Sequence, residues 1–167
     1  GASSGIGKEI ALYLSQIGYD LYLVGRNEDA LKDVSSMCNN AKYYIYDLSD
    51  TSNAYKLYDE LKDVKIDLLV NNAGFGLFGY FNKTDLDREL EMINVNIVSL
   101  HILSKLFLKD MVKRNRGKIL NVASSAGFFA GPYLSTYYAT KNYVLKLTMA
   151  ISEELKRQNS KVTVSAL

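Results

Sequence analysis

The sequence predicts an α/β protein: an open, doubly wound parallel sheet with helices on both faces, in three α/β/α layers. Three observations predict it. Short apolar runs alternate with longer stretches of helical periodicity along the whole chain. The strand candidates are nearly continuous apolar runs, the pattern of parallel strands buried on both faces. Each also ends in Gly, Asn, Asp or Ser, and in this architecture ligands bind beyond the carboxyl ends of the strands.

The elements follow in order. Ile6, Ile10, Leu14 and Ile17 recur at spacings of four, four and three, an apolar helix stripe that stops at Gly18. Asp20-LYLV-Gly25 is a short buried strand, residues 28 to 37 a helix, and Lys42-YYIY-Asp47 a second strand. A helix over residues 51 to 61 precedes the strand Ile66-DLLV-Asn71. Thr84 is placed as the N-cap of a long helix, with Asp87 three residues on as a weak capping box. That helix carries the stripe Ile93, Ile97, Leu100, Ser104, Phe107 and Met111, and Gly117 ends the region. Lys118-ILNVA-Ser124 is the next strand, residues 134 to 158 the longest helix, and Lys161-VTVSA the last strand.

Composition narrows the function classes. The 167 residues are one domain's worth, with 48% hydrophobic and 23% charged content, ordinary for a globular protein. The net charge of +2 is scattered, which argues against a nucleic-acid partner. The densest basic stretch, Lys109 to Lys118, closes a helix and complements its dipole. One cysteine, Cys38, excludes an intrachain disulfide and a cysteine metal cluster, and the single His101 argues against a histidine metal site; no metal is expected. No apolar run approaches the roughly 20 residues that span a bilayer, and no leader pattern is visible. The expectation is a cytoplasmic protein with no membrane partner.

The strand ends carry the chemistry. Gly1, Gly5 and Gly7 run straight into the first helix, and glycines there let the backbone approach a pyrophosphate at a helix N-terminus. The same glycines also suit a plain connecting turn. After the second strand, Gly25-Arg26-Asn27 offers an arginine where an NAD-preferring fold places an acid; Arg26 suits a 2′-phosphate or a solvated loop. Asp47-Leu48-Ser49, Asn71-Asn72-Ala73-Gly74 and Ser124-Ser125-Ala126-Gly127 close the next three strands. The small Ala73 and Gly74 would let a flat ring lie close to the backbone.

Tyr137 and Lys141 stand four residues apart, on one helix face. The spacing alone means little: with 13 tyrosines, chance supplies about one such pair, and Tyr58 with Lys62 is a second, read as surface or packing. Context separates them, because Tyr137 lies 13 residues after Ser124 at a strand end. A fixed cation favours a phenolate. Ser124 could donate to a substrate oxygen as negative charge develops there. A proton donor or acceptor, an oxygen clamp and a nicotinamide are the parts that hydride transfer at a carbonyl or alcohol carbon needs.

Together GASSGIG, VGRN, DLSD, NNAG, the VNI of Val95-Asn96-Ile97 and the Ser124/Tyr137/Lys141 spacing resemble the short-chain dehydrogenase/reductase family, over essentially the whole chain. The resemblance implies a single NAD(P)-binding Rossmann-type domain over residues 1–167 and an oxidoreductase using NADP(H) rather than NAD(H). It implies Tyr137 as catalytic acid/base, Ser124 orienting the substrate oxygen, and Lys141 both favouring the phenolate and holding the nicotinamide ribose. Asn96 matches the asparagine that anchors a water in the family's proton relay. Gly1, Ser3, Ser4, Gly5, Ile6 and Gly7 would form the phosphate loop, with Arg26 at the 2′-phosphate and Asp47 and Leu48 at the adenine. Asn72, Ala73 and Gly74 would line the cofactor's inner face, and Tyr138 is a packing residue. The stretch AGFGLFGYF, with the helix YYATKNYVLKLT, looks most like a branch of acyl-reductase-like and uncharacterised oxidoreductases.

The resemblance also implies a central strand before Gly1, in the order 3-2-1-4-5-6, and a substrate lid after the last strand. The sequence therefore reads as a window on a longer protein. By the same likeness the protein is a homodimer or homotetramer acting on a small carbonyl or alcohol. Residues 128 to 136, FFAGPYLST, form an uncharged aromatic wall for a neutral carbonyl or for an oligomer contact. Two other functions fit the fold: a nicotinamide-sensing binding protein, and a sugar-nucleotide epimerase or dehydratase.

Overall fold

The computed structural model describes residues Gly1–Leu167. The chain forms two compact units, Gly1–Leu48 and Ser49–Leu167.

The first unit holds α1 (Gly5–Gln16), β1 (Leu21–Gly25), α2 (Glu28–Ser36) and β2 (Ala41–Ile45). β1 and β2 pair in parallel, Leu21 opposite Ala41 through Gly25 opposite Ile45. Ala11, Leu21, Leu23, Leu31 and Val34 make the core. The helix α2 starts at Asn27, whose side chain accepts the Ala30 N–H at 3.0 Å, with Glu28 and Asp29 in the first turn favoured by the helix dipole. The apolar stripe expected on α1 is not its buried face. Gly7, Ala11 and Ser15 are buried, whereas Ile6 and Ile17 are exposed. Small side chains at i, i+4 and i+8 let the helix backbone lie close on β1, and Ser15 Oγ accepts the N–H of Asn39, in the loop before β2, at 2.8 Å.

The second unit holds α3 (Ser52–Leu61), β3 (Leu68–Asn71), α4 (Leu86–Ile93), α5 (Leu100–Lys113), β4 (Lys118–Asn121), α6 (Ser135–Arg157) and β5 (Thr163–Ala166). Its strands pair in parallel in the order β3-β4-β5. Together with β1–β2, these are the pairings that the order 3-2-1-4-5-6 predicts when strand 1 is left out. Burial on both faces is incomplete: Ile119 and Val164 are buried, while Thr163, Ser165 and Ala166 of the edge strand β5 are exposed.

Two local expectations are corrected. The N-cap of α4 is Asp85, not Thr84: the Asp85 carboxylate accepts the Arg88 N–H at 2.9 Å, and the Thr84 hydroxyl instead donates to the Glu89 carboxylate. The predicted long helix is also interrupted. Residues Asn94–Ser99 form a π-helical stretch between α4 and α5, which adds a residue to the repeat. Downstream of it Leu100, Ser104, Phe107 and Met111 are buried as expected; before and within it the buried positions move by one, to Met92 and Asn96 in place of Ile93 and Ile97. The run Leu86–Lys113 is long and apolar enough by length and composition to cross a membrane, contrary to the reading of the sequence. Its Met92, Leu100, Leu103, Phe107 and Met111 are buried in the unit, as in the core helix of a globular protein.

The tyrosine–lysine pair at Tyr58 and Lys62 is structural, as expected. The Tyr58 hydroxyl donates to Asp110 at 2.7 Å, and its ring meets Phe107 edge-on with centroids 5.2 Å apart. The hydrogen bond to Asp110, reinforced by partial burial, pushes the Tyr58 phenol up to about 12. A raised value in the folded state stabilises the protonated form. The contribution is therefore complete below the ordinary tyrosine value near 10 and is lost as pH rises toward 12. Tyr58→Phe is predicted to cost about 1 kcal/mol at pH 8.5, after allowance for solvent screening, with the gap narrowing above pH 10. Urea midpoints of the whole protein and the variant at both pH values check this; a pH-independent gap contradicts it.

Candidate active site

In the second unit the ends of β3 and β4 and the first two turns of α6 converge. Asn71 and Asn121, the last residues of β3 and β4, are joined by an amide–amide bond of 2.9 Å. Asn71 also donates to Ser104 Oγ on α5 and Asn121 to Thr148 Oγ1 on α6, each at 2.9 Å. This buried network fixes where both strands stop, and no buried side-chain nitrogen or oxygen lacks a partner.

Lys141 lies on α6 and is 6% exposed. Its Nζ donates to the Val122 carbonyl at 2.8 Å, two residues before Ser124, and stands 5.8 Å from the centroid of the Tyr137 ring. Burial pushes the Lys141 ammonium below the ordinary lysine range. Ser124 begins a single 3₁₀ turn, Ser125–Gly127; its Oγ accepts the Ala126 N–H at 3.1 Å, which leaves the hydroxyl proton for donation. That turn is fastened to α6 by Asn142 Nδ2 donating to the Gly127 carbonyl at 2.8 Å. Ser124, Tyr137 and Lys141 thus belong to one packed assembly.

Asn96 joins it from the π-helical stretch, 1% exposed. Its Oδ1 accepts the Phe75 N–H at 3.1 Å, and its Nδ2 donates to the Phe75 carbonyl at 2.9 Å and to Thr140 Oγ1 at 3.0 Å. Both N–H groups of the amide are therefore committed to protein acceptors, so any part of Asn96 in a proton relay falls to its other atoms. Thr140 Oγ1 in turn donates to the Tyr137 carbonyl at 2.8 Å. Asn72 and Ala73 are half-buried between β3 and this clamp. Gly74 lies against it: a Cβ there would stand 2.9 Å from Asn96 Oδ1 and 3.5 Å from Lys141 Nζ. Only glycine lets the loop lie on Asn96.

Reasoning from the sequence missed Thr140. The available signal was its place three residues after Tyr137 and directly before Lys141, a polar residue on the core-facing side of α6. It also missed Asn121 and Thr148, which sit inside apolar patterns. Tyr138 packs as expected, its ring 6.0 Å from that of Phe129. His101 is exposed and shares a 2.7 Å hydrogen bond with the Tyr143 hydroxyl.

The first unit carries the glycine-rich loop. Ala2 N–H donates to the Val24 carbonyl at 3.0 Å, which lays the start of the loop along the end of β1. Ser3 follows, half-buried, and Ser4 is the extended N-cap of α1, without a side-chain cap bond. Gly5 adopts the left-handed region at φ 53°, and no atom lies within 4 Å of a Cβ built on it. Gly7 is buried against the unit and Ile6 is exposed. The first turn of α1 has no acidic residue. A left-handed glycine in open space at the first position of a helix whose N-cap side chain makes no cap bond fits a phosphate group. Arg26 Nη1 lies 3.6 Å from Asp47 Oδ2, both partly exposed, so the structure pairs two residues that the sequence assigned to different parts of a nucleotide. Leu48 adjoins them, half-buried.

The sequence matches the family model described as short chain dehydrogenase over residues 1–167. The chain belongs to the short-chain dehydrogenase family. It is 32% identical to the very-long-chain 3-oxoacyl-CoA reductase of Laccaria bicolor, across 100% of this chain and 52% of that protein. It is 38% identical to an uncharacterized oxidoreductase of Staphylococcus epidermidis, across 98% of this chain and 72% of that protein. Among solved structures it matches the short-chain dehydrogenase from Sphingobium yanoikuyae in complex with NADPH, with a TM-score of 0.93 and 29% identity, over 99% of this chain and 66% of that one. The chain spans about half the length of the reductases it matches in Laccaria bicolor and Mycosarcoma maydis, 52% and 50%.

Proposed function

We propose that the whole protein is an NADP(H)-dependent oxidoreductase interconverting a carbonyl compound and its secondary alcohol, with Tyr137 as general acid/base. The observation that carries this reading is the assembly of Ser124, Tyr137 and Lys141. The Lys141 ammonium is fastened to the Val122 carbonyl, two residues before Ser124, and stands 5.8 Å from the centroid of the Tyr137 ring. Bound NADP(H) supplies or accepts the hydride at the substrate carbon. The Ser124 hydroxyl donates to the substrate oxygen and steadies the charge that develops there. In the reductive direction the Tyr137 phenol gives its proton to that oxygen as the carbonyl π bond breaks; in the oxidative direction it takes the proton back. The fixed Lys141 charge favours negative charge on the tyrosine oxygen during the transfer, and the ammonium is a donor for ribose hydroxyls.

In the first unit, Gly1, Ser3, Ser4 and Gly5 hold the phosphates at the start of α1, with Ile6 and Gly7 completing the turn. Arg26 would hold the 2′-phosphate, and Asp47 and Leu48 would meet the adenine. In the second unit Asn72, Ala73 and Gly74 serve the nicotinamide end. Carbonyl-dependent consumption of NADPH by the whole protein is the direct test. Nucleotide binding without turnover across a broad carbonyl panel would support a nicotinamide-sensing protein instead. Arg26→Asp is predicted to weaken NADPH binding on the order of ten- to a hundredfold while leaving NADH binding nearly unchanged, since a charge-assisted phosphate contact is lost. Equal weakening of both cofactors in fluorescence titrations removes the reason for choosing NADP.

A further inference from the structure

Two residues before α6, Tyr133 has a backbone φ of 68°, the left-handed region that bulky side chains rarely occupy. Such a conformation persists only where the surroundings hold it, and residues that do so cluster at ligand sites. Here the holding is done by the loop after β3. Gly79 N–H donates to the Tyr133 carbonyl at 2.8 Å. The Phe78 ring stacks on Tyr133 with centroids 5.2 Å apart and planes 25° apart. Tyr80 meets it edge-on at 4.9 Å, and the two hydroxyls lie 3.2 Å apart. These contacts do not bury the rings: Phe78 is 74% and Tyr80 62% exposed. An exposed aromatic cluster held against backbone preference is a surface kept for something apolar.

Its position says what. Tyr133 precedes Tyr137 by four residues, and the other arm of the cluster passes over Tyr137 itself, where a Cβ on Gly76 would stand 3.3 Å from the Tyr137 ring. At the neighbouring helix start Asp87 is exposed, and the other charges are engaged. Arg88 pairs with Glu91 and lies over the Phe75 ring, Glu89 accepts from Thr84, and Asp85 caps α4. Lys83 is the one other cation in this loop, and it is exposed. We propose that Tyr133, Phe78 and Tyr80 form an aromatic platform beside Tyr137 that takes the apolar body of a neutral carbonyl substrate, with an aryl substituent preferred over a short alkyl one. This rests on the oxidoreductase reading, and its test separates the two.

The probes are propiophenone and butanone, each reduced with NADPH by the whole protein. The variants are Tyr133→Asn, which suits the left-handed backbone while deleting the ring, and Phe78→Ser. In both variants kcat/KM for propiophenone should fall about tenfold or more, with butanone changed by less than about twofold. A parallel fall for both ketones, or no change for either, overturns the platform. So does a shift in elution volume with the ketone ratio intact, which would make the cluster a contact between copies of the chain. If the wild-type protein reduces neither ketone, the oxidoreductase reading is decided by the broad carbonyl panel, and calorimetry decides the platform. Propiophenone binding that Tyr133→Asn abolishes sustains it, and absence of binding to the wild type overturns it.

Discussion

Tyr137→Phe is expected to lower carbonyl turnover about 100-fold or more while NADPH affinity changes by no more than about threefold. The substitution isolates the hydroxyl. The ring is what packs against the loop at Gly76, and Phe keeps that ring, so the assembly around it is preserved. The remaining parts also stay: Lys141 keeps its bond to the Val122 carbonyl, and Ser124 keeps its turn. Only the proton donor and acceptor is removed, and the loss should appear in kcat rather than in cofactor binding. Steady-state kinetics with NADPH titrations check this. Undiminished turnover would take Tyr137 out of the chemistry, and loss of NADPH binding in step with turnover would make its role structural.

Asn96→Ala is expected to destabilise the whole protein by about 3 kcal/mol. The truncation leaves the Phe75 N–H, the Phe75 carbonyl and the Thr140 hydroxyl short of a partner and opens a cavity at a fully buried site. Urea or thermal unfolding measures it, and a loss below about 1 kcal/mol would show that the clamp is not needed to hold the loop. The same clamp should matter to catalysis through position. Thr140 touches both Asn96 and the carbonyl of Tyr137, so it is a positioning residue for the first turn of α6. Thr140→Val, nearly the same shape without the hydroxyl, should reduce kcat about tenfold with little change in KM for NADPH, and Thr140→Ser should restore it. Equal kcat in the Val and Ser variants would leave Thr140 with a packing role only.

Much of this was legible in the sequence for a physical reason. Element type follows local periodicity, so each helix and strand was found within a few residues of its place. The residues at strand ends could be named because ligand chemistry in a doubly wound sheet gathers there. Face and register were less legible. The α1 stripe failed because close helix–strand packing selected Gly7, Ala11 and Ser15 over larger apolar neighbours. The stripe upstream of Leu100 slipped by one residue because a π-helical stretch breaks the 3.6-residue period on which such a reading depends.

The sequence by itself determined the parallel α/β class, the family, and the candidates Ser124, Tyr137, Lys141 and Asn96, since these rest on residue type and spacing along the chain. The tertiary structure decided what holds those candidates. Phe75 and Asn96 stand 21 residues apart, Asn96 and Thr140 44, and Tyr80 and Tyr133 53. Hydrogen bonds across such separations leave no periodic trace in a sequence. They exist only once the loop after β3 is laid over α6, and that contact is made by packing rather than by local preference.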